Sequence, residues 1–353
     1  MTRSRVRSIQ WPPEGLTSEV LRLFVLDPHT REHAAALGIS QEDMAACRYI
    51  NLSSPSSGML VADDGHRLVG LLQMEPDLWA SALFGVHVWR IRNMVLDSLA
   101  PPGCIEGLLE HAITSIHAPV DCISAPTPSQ AHAMLQGLVR VGFRTVGTQV
   151  QTVARIEQRP PVPLRMVPLD THHFHDQPNW LLDCSDLGGF ACDPGFSTHG
   201  LRALQRRRLF DSLDDPESWV FVAEDRSGQP LGLIGFRINR QTAQYSEARL
   251  ALQHICGLQV SCADAGLGEI LHQGLMEQLK HHRVEAISVR ITMTGHGATR
   301  ALAQHMRLGY RLTRTDQVLH LWLSKPHPDL KTQDIQGYAG RSRQAPYACR
   351  RAL

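Results

Sequence analysis

The chain has no excess of either charge. Lys plus Arg number 35 and Asp plus Glu 34 in 353 residues, a formal net charge of +1. No strong field therefore recommends nucleic acid or a membrane surface as a general partner. No stretch reaches the roughly 18 apolar residues of a spanning helix, so no membrane span is expected. None of the eight cysteines, at 47, 104, 122, 184, 192, 256, 262 and 349, forms a C-x-x-C pair. Arg3, Arg5 and Arg7 lead into Ile9-Gln10-Trp11-Pro12-Pro13 rather than an apolar segment, so no signal peptide is expected. Together these absences predict reduced thiols in a cytoplasmic protein.

Apolar residues make up 43% and charged residues 20%, the balance of a globular body, and the length suits two ordinary domains. Histidine is abundant, at 19. His172-His173-Phe174-His175-Asp176 invites a metal reading. Consecutive residues do not converge on one ion without a sharp turn, and no matching ligand pair lies nearby, so no metal site is expected.

The chain reads as one unit written twice. Met59–Ala62, the turn around Gly65 and Leu68–Leu72 read as a hairpin, repeated by Val220–Ala223, Glu224–Gly228 and Leu231–Phe236. Val120-Asp121-Cys122-Ile123-Ser124 is echoed by Val284-Glu285-Ala286-Ile287-Ser288. Gly142-Phe143-Arg144 is echoed by Gly309-Tyr310-Arg311. The offsets of 161, 164 and 167 residues describe a duplicated domain, not a solenoid. Pro160, Pro161 and Pro163 mark the joint. The expected division is residues 1–158, a linker at 159–164, residues 165–325 and a basic tail at 326–353. The spacing predicts helices over Ile105–Ile116, Gln130–Val141, Leu201–Leu213, Gly268–His281 and Ala298–Leu308. Arg206-Arg207-Arg208 reads as a solvated helix face, with a grip on substrate phosphate as the other reading.

One stretch organises the second half. Leu250–Val260 is an apolar strand, Ser261–Gly268 a small-residue loop, and Ile270, Leu271, Leu275, Met276 and Leu279 keep helical spacing. A strand that turns through Gly266 and Gly268 into a helix aims backbone N–H groups and a helix dipole at one spot, which suits a phosphate or pyrophosphate.

These residues carry a resemblance. Val260 ending a strand, Ala265-Gly266-Leu267-Gly268 opening a helix, the strand Ala286–Ile291, and Ala301, His305 and Gly309-Tyr310 closing a second helix resemble the GCN5-related N-acetyltransferase (GNAT) family. Trp79-Ala80-Ser81-Ala82-Leu83-Phe84-Gly85, Phe190-Ala191-Cys192-Asp193-Pro194 and Leu319-His320-Leu321-Trp322-Leu323 are similar to elements of its TDP-fucosamine branch. The resemblance covers nearly all of residues 50–325. It implies an α/β (α+β) protein of two tandem GNAT-like domains, each a mixed, mostly antiparallel twisted sheet flanked by helices. It implies an N-acyltransferase that takes acetyl-CoA or another acyl-CoA and passes the acyl group to a small-molecule amine by direct attack. The cofactor contacts it implies are Leu258, Val260, Ala265, Gly266, Leu267, Gly268, Glu269, Ile270 and Ala298.

The sequence departs from the family pattern in places. The Arg or Gln that opens the family's loop falls on Ala263 or Ala265, and its Asn falls on Ala298. The tyrosine that protonates the leaving thiolate falls on His305, which becomes the expected acid, since histidine donates protons near neutral pH. His254, on the strand entering the loop, is the expected base, with Glu247 and His296 in reserve. Cys256 and Cys262 leave a covalent acyl-cysteine open. In the first half, Leu99-Ala100-Pro101-Pro102-Gly103-Cys104 stands where a cofactor loop would lie. Two prolines remove two donors, and Leu138 stands where the acid would be, so this half is expected to bind no cofactor and to shape the substrate cleft. Two alternatives stay open: transfer or decarboxylation on a carrier-protein thiol, and a non-catalytic binding protein.

Overall fold

A computed structural model of the chain describes residues 5–9, 15–50, 52, 58–156, 164–170, 188–238, 249–258, 266–293 and 295–324. The His172–Asp176 cluster, most of the 159–164 joint and the 326–353 tail lie outside the described residues. The first half contributes strands β1 (Arg5–Ile9), β2 (Gly58–Asp63), β3 (Leu68–Pro76), β4 (Val88–Leu96), β5 (Cys122–Pro128) and β6 (Arg144–Arg155). Its helices are α1 (Thr17–Leu26), α2 (Pro28–Leu37), α3 (Gln41–Ile50), α4 (Leu78–Phe84), α5 (Cys104–Ser115) and α6 (His132–Val141). The second half contributes β7 (Arg165–Pro168), β8 (Ser218–Glu224), β9 (Pro230–Ile238), β10 (Leu250–Leu258), β11 (Ala286–Thr292) and β12 (Arg311–Trp322). Its helices are α7 (Thr198–Asp214), α8 (Leu267–His281) and α9 (Gly295–Arg307). No helix among the described residues is long and apolar enough to cross a membrane.

The predicted helices form within a few residues of their expected bounds. α1 to α4 carry no expectation from the repeat, yet their end signals are local. Asp27 caps α2 through the His29 N–H, Pro28 follows in its first turn, and Gly38 closes the helix at φ 71°.

All twelve strands join one sheet, in the order β1-β2-β3-β4-β5-β12-β6-β11-β10-β9-β8-β7. The two halves therefore exchange their last strands. β12, from the second half, pairs with β5, and β6, from the first, pairs with β11. Gln149 of β6 faces Asp316 of β12, its own counterpart in the repeat, and Thr148 faces Gln317 as Val150 faces Thr315. An approximate twofold axis thus passes through the Gln149–Asp316 pair, perpendicular to the sheet. Helices α5, α6, α8 and α9 cover one face.

Each core includes a strand from the other half. Leu319 and Leu321 of β12 are buried with Leu108, Leu109 and Leu138 of α5 and α6. Val150 and Ala154 of β6 are buried with Leu271, Leu275 and Leu279 of α8. On the opposite face the covering helices are exchanged too. Ala34 and Leu37 of α2 pack on Leu250 and Ala286 of the second half. Phe190, Phe196 and Leu204 of the second half pack on Phe84, Val88 and Cys122 of the first.

Helix pairs approach closely through one glycine in each half. A Cβ on Gly137 of α6 would lie 2.4 Å from the Ile105 side chain of α5, and one on Gly268 of α8 would lie 2.6 Å from the Gln304 side chain of α9. The small residue sits on opposite helices in the two copies, so the close crossing, not the position, is what the repeat keeps.

Because β12 completes the first half's core, Leu319→Ala is expected to cost about 2–5 kcal/mol. It should also lower amide-exchange protection in β5 and α6, more than 150 residues away in sequence, as well as in its own half. Loss confined to residues beyond 165 would contradict the exchanged-strand arrangement.

Candidate active site

The site is built from a gap in the sheet. β10 and β11 run parallel and pair only from Leu250 with Ala286 to Gln253 with Val289. Beyond that point β10 stays with β9 as far as Leu258, and β11 stays with β6. The strands part at a β-bulge. Gln253 faces Phe236 and Ile255 faces Gly235, so His254 is the extra residue. Bulges bend a strand and re-aim a side chain. The first half repeats the device. β4 and β5 pair only over Val88–Arg90 and Cys122–Ser124, and Arg92 is the bulged residue. In that copy the bulged residue is an arginine paired with Glu75 of β3.

Gly266 opens α8. It holds φ 72° and places no side chain on the helix start, and an added Cβ would meet nothing within 4 Å among the described residues. Leu267 and Gly268 are buried beneath it. Ile270 donates its N–H to the Gly266 carbonyl at 3.4 Å. Glu269 puts a carboxylate in the first turn, where it would oppose an anion, but Arg307 of α9 is paired with it. Leu258 is the last residue of β10. Ala298 lies inside α9, which begins three residues earlier than expected, and packs against the core. Val260, Ala265, Cys262 and Glu247 lie outside the described residues. His296 lies in α9.

His305 is placed in the interface between α8 and α9 and is 3% exposed. Its ring meets His272 of α8 at 4.4 Å and Tyr310 at 4.7 Å, both edge to face. The His272 Nδ1–H donates to the Gly268 carbonyl at 2.8 Å, and the His305 Nδ1–H to the Ala301 carbonyl at 2.6 Å. Those bonds fix the tautomers, since a carbonyl only accepts. Each buried Nε2 is then a lone pair, without a hydrogen-bond partner among the described residues. Burial, with His305 close by, pushes the His272 pKa down to about 3, and burial also lowers that of His305. The thiolate-protonating role expected of His305 needs a mobile proton. In this arrangement the ring is neutral, and its one N–H is committed to the backbone.

The first half shows what this trio replaces. Gly103 and Gly266 are both left-handed caps at the starts of α5 and α8. Phe143 bonds back to Leu138 as Tyr310 does to His305, at 3.0 Å in each case. The counterparts of His272, His305 and Tyr310 are accordingly Leu109, Leu138 and Phe143, all apolar and buried. His272 gave no signal in the sequence, since a lone histidine on a helix reads as an ordinary core or surface residue. Only its alignment with Leu109 separates it.

The first half also holds a cavity of about 620 Å³ at its own strand gap. α5 and α6 both begin at its wall, which includes Pro101 and Pro102. Asp27 and Asp97 line it too, held by Arg48 and Arg22 respectively. Missing donors and added carboxylates make it a poor match for a pyrophosphate. No group of three or more metal-ligating side chains occurs among the described residues.

The three remaining resembling segments meet at one place. Phe84, Phe190, Phe196 and Trp322 pack tilted or edge to face, with centroids 4.6–5.5 Å apart. Beneath them Asp193 accepts from His320 Nδ1 at 2.6 Å and from Trp322 Nε1 at 3.0 Å. Arg207 lies 4.3 Å from the centre of the Trp79 ring and pairs with Asp211, so it ties α7 to the first half rather than facing solvent alone. These motifs join the two halves.

No family model matches the chain, and no curated protein matches it. Solved structures do. A GCN5-related N-acetyltransferase from Sphaerobacter thermophilus aligns at TM-score 0.61 and 12% identity, over 91% of this chain and 96% of that one. A tandem GNAT protein from the clavulanic acid biosynthesis pathway aligns at 0.53 and 14%, over 91% and 99%. A glucosamine N-acetyltransferase region of a fungal multi-domain beta-N-acetylglucosaminidase aligns at 0.55 and 14%, over 91% of this chain and 38% of that one. The fold is the tandem GNAT fold. At these identities the likeness speaks to the fold alone.

The buried histidines predict a pH dependence. A histidine whose folded pKa lies near 3, against about 6.5 unfolded, favours the folded state only while neutral. Stability is complete above pH 6.5 and falls with acid, by at most about 1.4 kcal/mol per pH unit for His272. Urea unfolding between pH 7 and pH 5 should show this loss. His272→Leu, which restores the first half's residue type, should reduce it by the His272 share, since His305 is also held below its ordinary value. An unchanged slope in the variant would mean that His272 is not the group being titrated.

Proposed function

We propose that the chain is an acyl-CoA-dependent N-acyltransferase that passes an acetyl or other short acyl group to an amine of a small molecule. In this reading residues 165–325 take the donor, and residues 1–158 bind none and shape the acceptor side. The observation that carries it is the strand gap at the His254 bulge, followed by a long helix that opens on a left-handed glycine. The donor supplies an activated acyl group as its thioester. The backbone N–H groups of Gly266, Leu267 and Gly268 at the start of α8 suit its pyrophosphate, those of Glu269 and Ile270 being bonded to the Gly266 carbonyl, and Arg307 offsets the Glu269 charge there. Past the last β10–β11 pair, β10 no longer shares its backbone donors with β11, and this reading assigns an N–H near Leu258 to polarise the acyl carbonyl.

His254 is the base. It is the bulged residue of β10, next after the last β10–β11 pair, and an amine must lose a proton before it attacks. The attack forms an amide bond and breaks the carbon–sulfur bond. The proton taken from nitrogen is the one the leaving sulfur requires, so a single histidine can move it. His305 then acts with His272 to hold α8 against α9. An amino sugar carried on a nucleotide is one acceptor of the proposed class.

Titration of the full-length protein with acetyl-CoA and longer acyl-CoAs tests the donor. A folded sample that binds none of them would remove the proposal. His254→Ala should lower kcat by roughly 10²- to 10⁴-fold and leave acyl-CoA affinity unchanged. His305→Gln should lower stability while leaving the pH–rate profile in place. If that profile moves, His305 is the proton donor after all. Acylation of a carrier-protein thiol, with no amine turned over, would move the chemistry to the carrier alternative.

A further inference from the structure

The gap between β10 and β11 opens at a polar residue that the proposed chemistry leaves unused. Gln253 is the last residue of β10 paired with β11, and the bulged His254 follows it. Its cross-strand neighbours are Val289 of β11 and Phe236 of β9. Directly paired residues point to the same side of a sheet, and so do residues two apart on one strand. Val289, Phe236 and Ala251 are buried in the core that Leu271, Leu275 and Leu279 of α8 complete. Gln253 therefore stands on the face that α8 and α9 cover, at the vertex where the strands part. Both cross-strand neighbours are apolar and offer no side-chain donor. Gln253 Oε1 is buried and has no hydrogen-bond partner among the described residues.

The first half shows that the fold has no need of an amide at this position. Met74 faces Ile91 as Phe236 faces Gln253, and each pair adjoins a bulge, at Arg92 and at His254. Ile91 is 3% exposed and packs in one cluster with Leu109 and Leu138. Their counterparts in the second half, Gln253, His272 and His305, each hold a buried acceptor atom that no described residue meets. Such an atom has given up its bonds to water and destabilises the fold unless a donor reaches it. His272 and His305 lie within the helix crossing, whereas Gln253 lies where strand pairing ends. We infer that Gln253 is a binding residue for the acyl donor, its side-chain carbonyl accepting a hydrogen bond from an amide N–H of the donor's arm. The inference rests on the acyltransferase reading and adds a residue to its site. In that reading the pyrophosphate lies at the start of α8 and the thioester in the gap. The arm of an acyl-CoA between those two groups contains secondary amides, each with one N–H. α8 stands on the face that Gln253 shares, so an arm running from the helix start to the gap passes on the side of its amide. A hydrogen bond made there, away from water, is stronger than one made at the surface. The aliphatic Ile91 agrees with the proposed absence of a donor in the first half.

The test reads the arm apart from the rest of the donor. Full-length protein and its Gln253→Ile and Gln253→Met variants are titrated by calorimetry with acetyl-CoA and with 3′-phospho-ADP, which keeps the pyrophosphate and lacks the arm. Both variants should weaken acetyl-CoA binding by about 5- to 100-fold, because the arm's N–H is then buried against hydrocarbon. Affinity for 3′-phospho-ADP should stay at the wild-type value. Without ligand, Gln253→Ile restores the first half's residue and removes an unpaired buried oxygen, so its melting temperature should equal or exceed that of wild type. Acetyl-CoA affinity that is the same in wild type and in both variants would overturn the inference and leave the acyltransferase reading standing. An equal loss of affinity for both ligands would assign Gln253 to packing alone and overturn it too. A folded wild type that binds neither acetyl-CoA nor longer acyl-CoAs would remove the acyltransferase reading, and this inference with it.

Discussion

The exchange of final strands between the two halves is the constraint on which the rest of the molecule depends. β6 and β12 pair with each other along most of their length, and each then completes the other half's sheet. Neither core is whole without the other half of the chain. The crossing also decides which helices cover which strands, because α2 and the segment around Phe190 follow the exchanged strands across the axis. The aromatic cluster, the Asp193–His320 bond and the Arg207–Trp79 contact lock the same joint from the side.

Within that frame the two halves share geometry and differ in chemistry. Both have a parallel pair that parts at a bulge, a left-handed glycine at a helix start, and a close helix crossing. The first fills the crossing with Leu109, Leu138 and Phe143 and lines its gap with prolines and carboxylates. The second puts His272, His305 and Tyr310 in the crossing. A buried ring nitrogen without a partner lowers stability, typically by about 1–3 kcal/mol. The two copies thus build one crossing with different chemistry, apolar packing in the first and, in the second, two buried rings that hold α8 against α9 at that cost.

Much of this was legible in the sequence. The duplication, the glycine-opened helix and five helices followed from periodicity and offsets. The strand exchange did not, because a final strand has the same length, pattern and spacing whichever sheet it joins. Helices α1 to α3 were missed because no repeat announces them, and the buried faces of α2 and α3 answer in part to strands of the second half. His254 was legible as a strand residue near the loop, but a bulge is a matter of pairing and leaves no mark on one strand alone. The acid role expected of His305 assumed a solvated imidazole. Its neighbours, His272 and Tyr310, come from positions 33 residues before it and five after, and only the fold buries all three together.

The approximate twofold axis has a further meaning for how this molecule can change. In an assembly of two identical chains, every substitution arrives twice, and any residue on the axis must suit its own copy. Here the axis falls between Gln149 and Asp316, an amide opposite an acid, a pairing that identical subunits could never present. Joining the halves also makes their encounter independent of protein concentration, so the interface tolerates weak points that a dissociable pair would not. One helix crossing thus holds histidines while its twin holds leucines. Covalent linkage released the two sites from having to be alike.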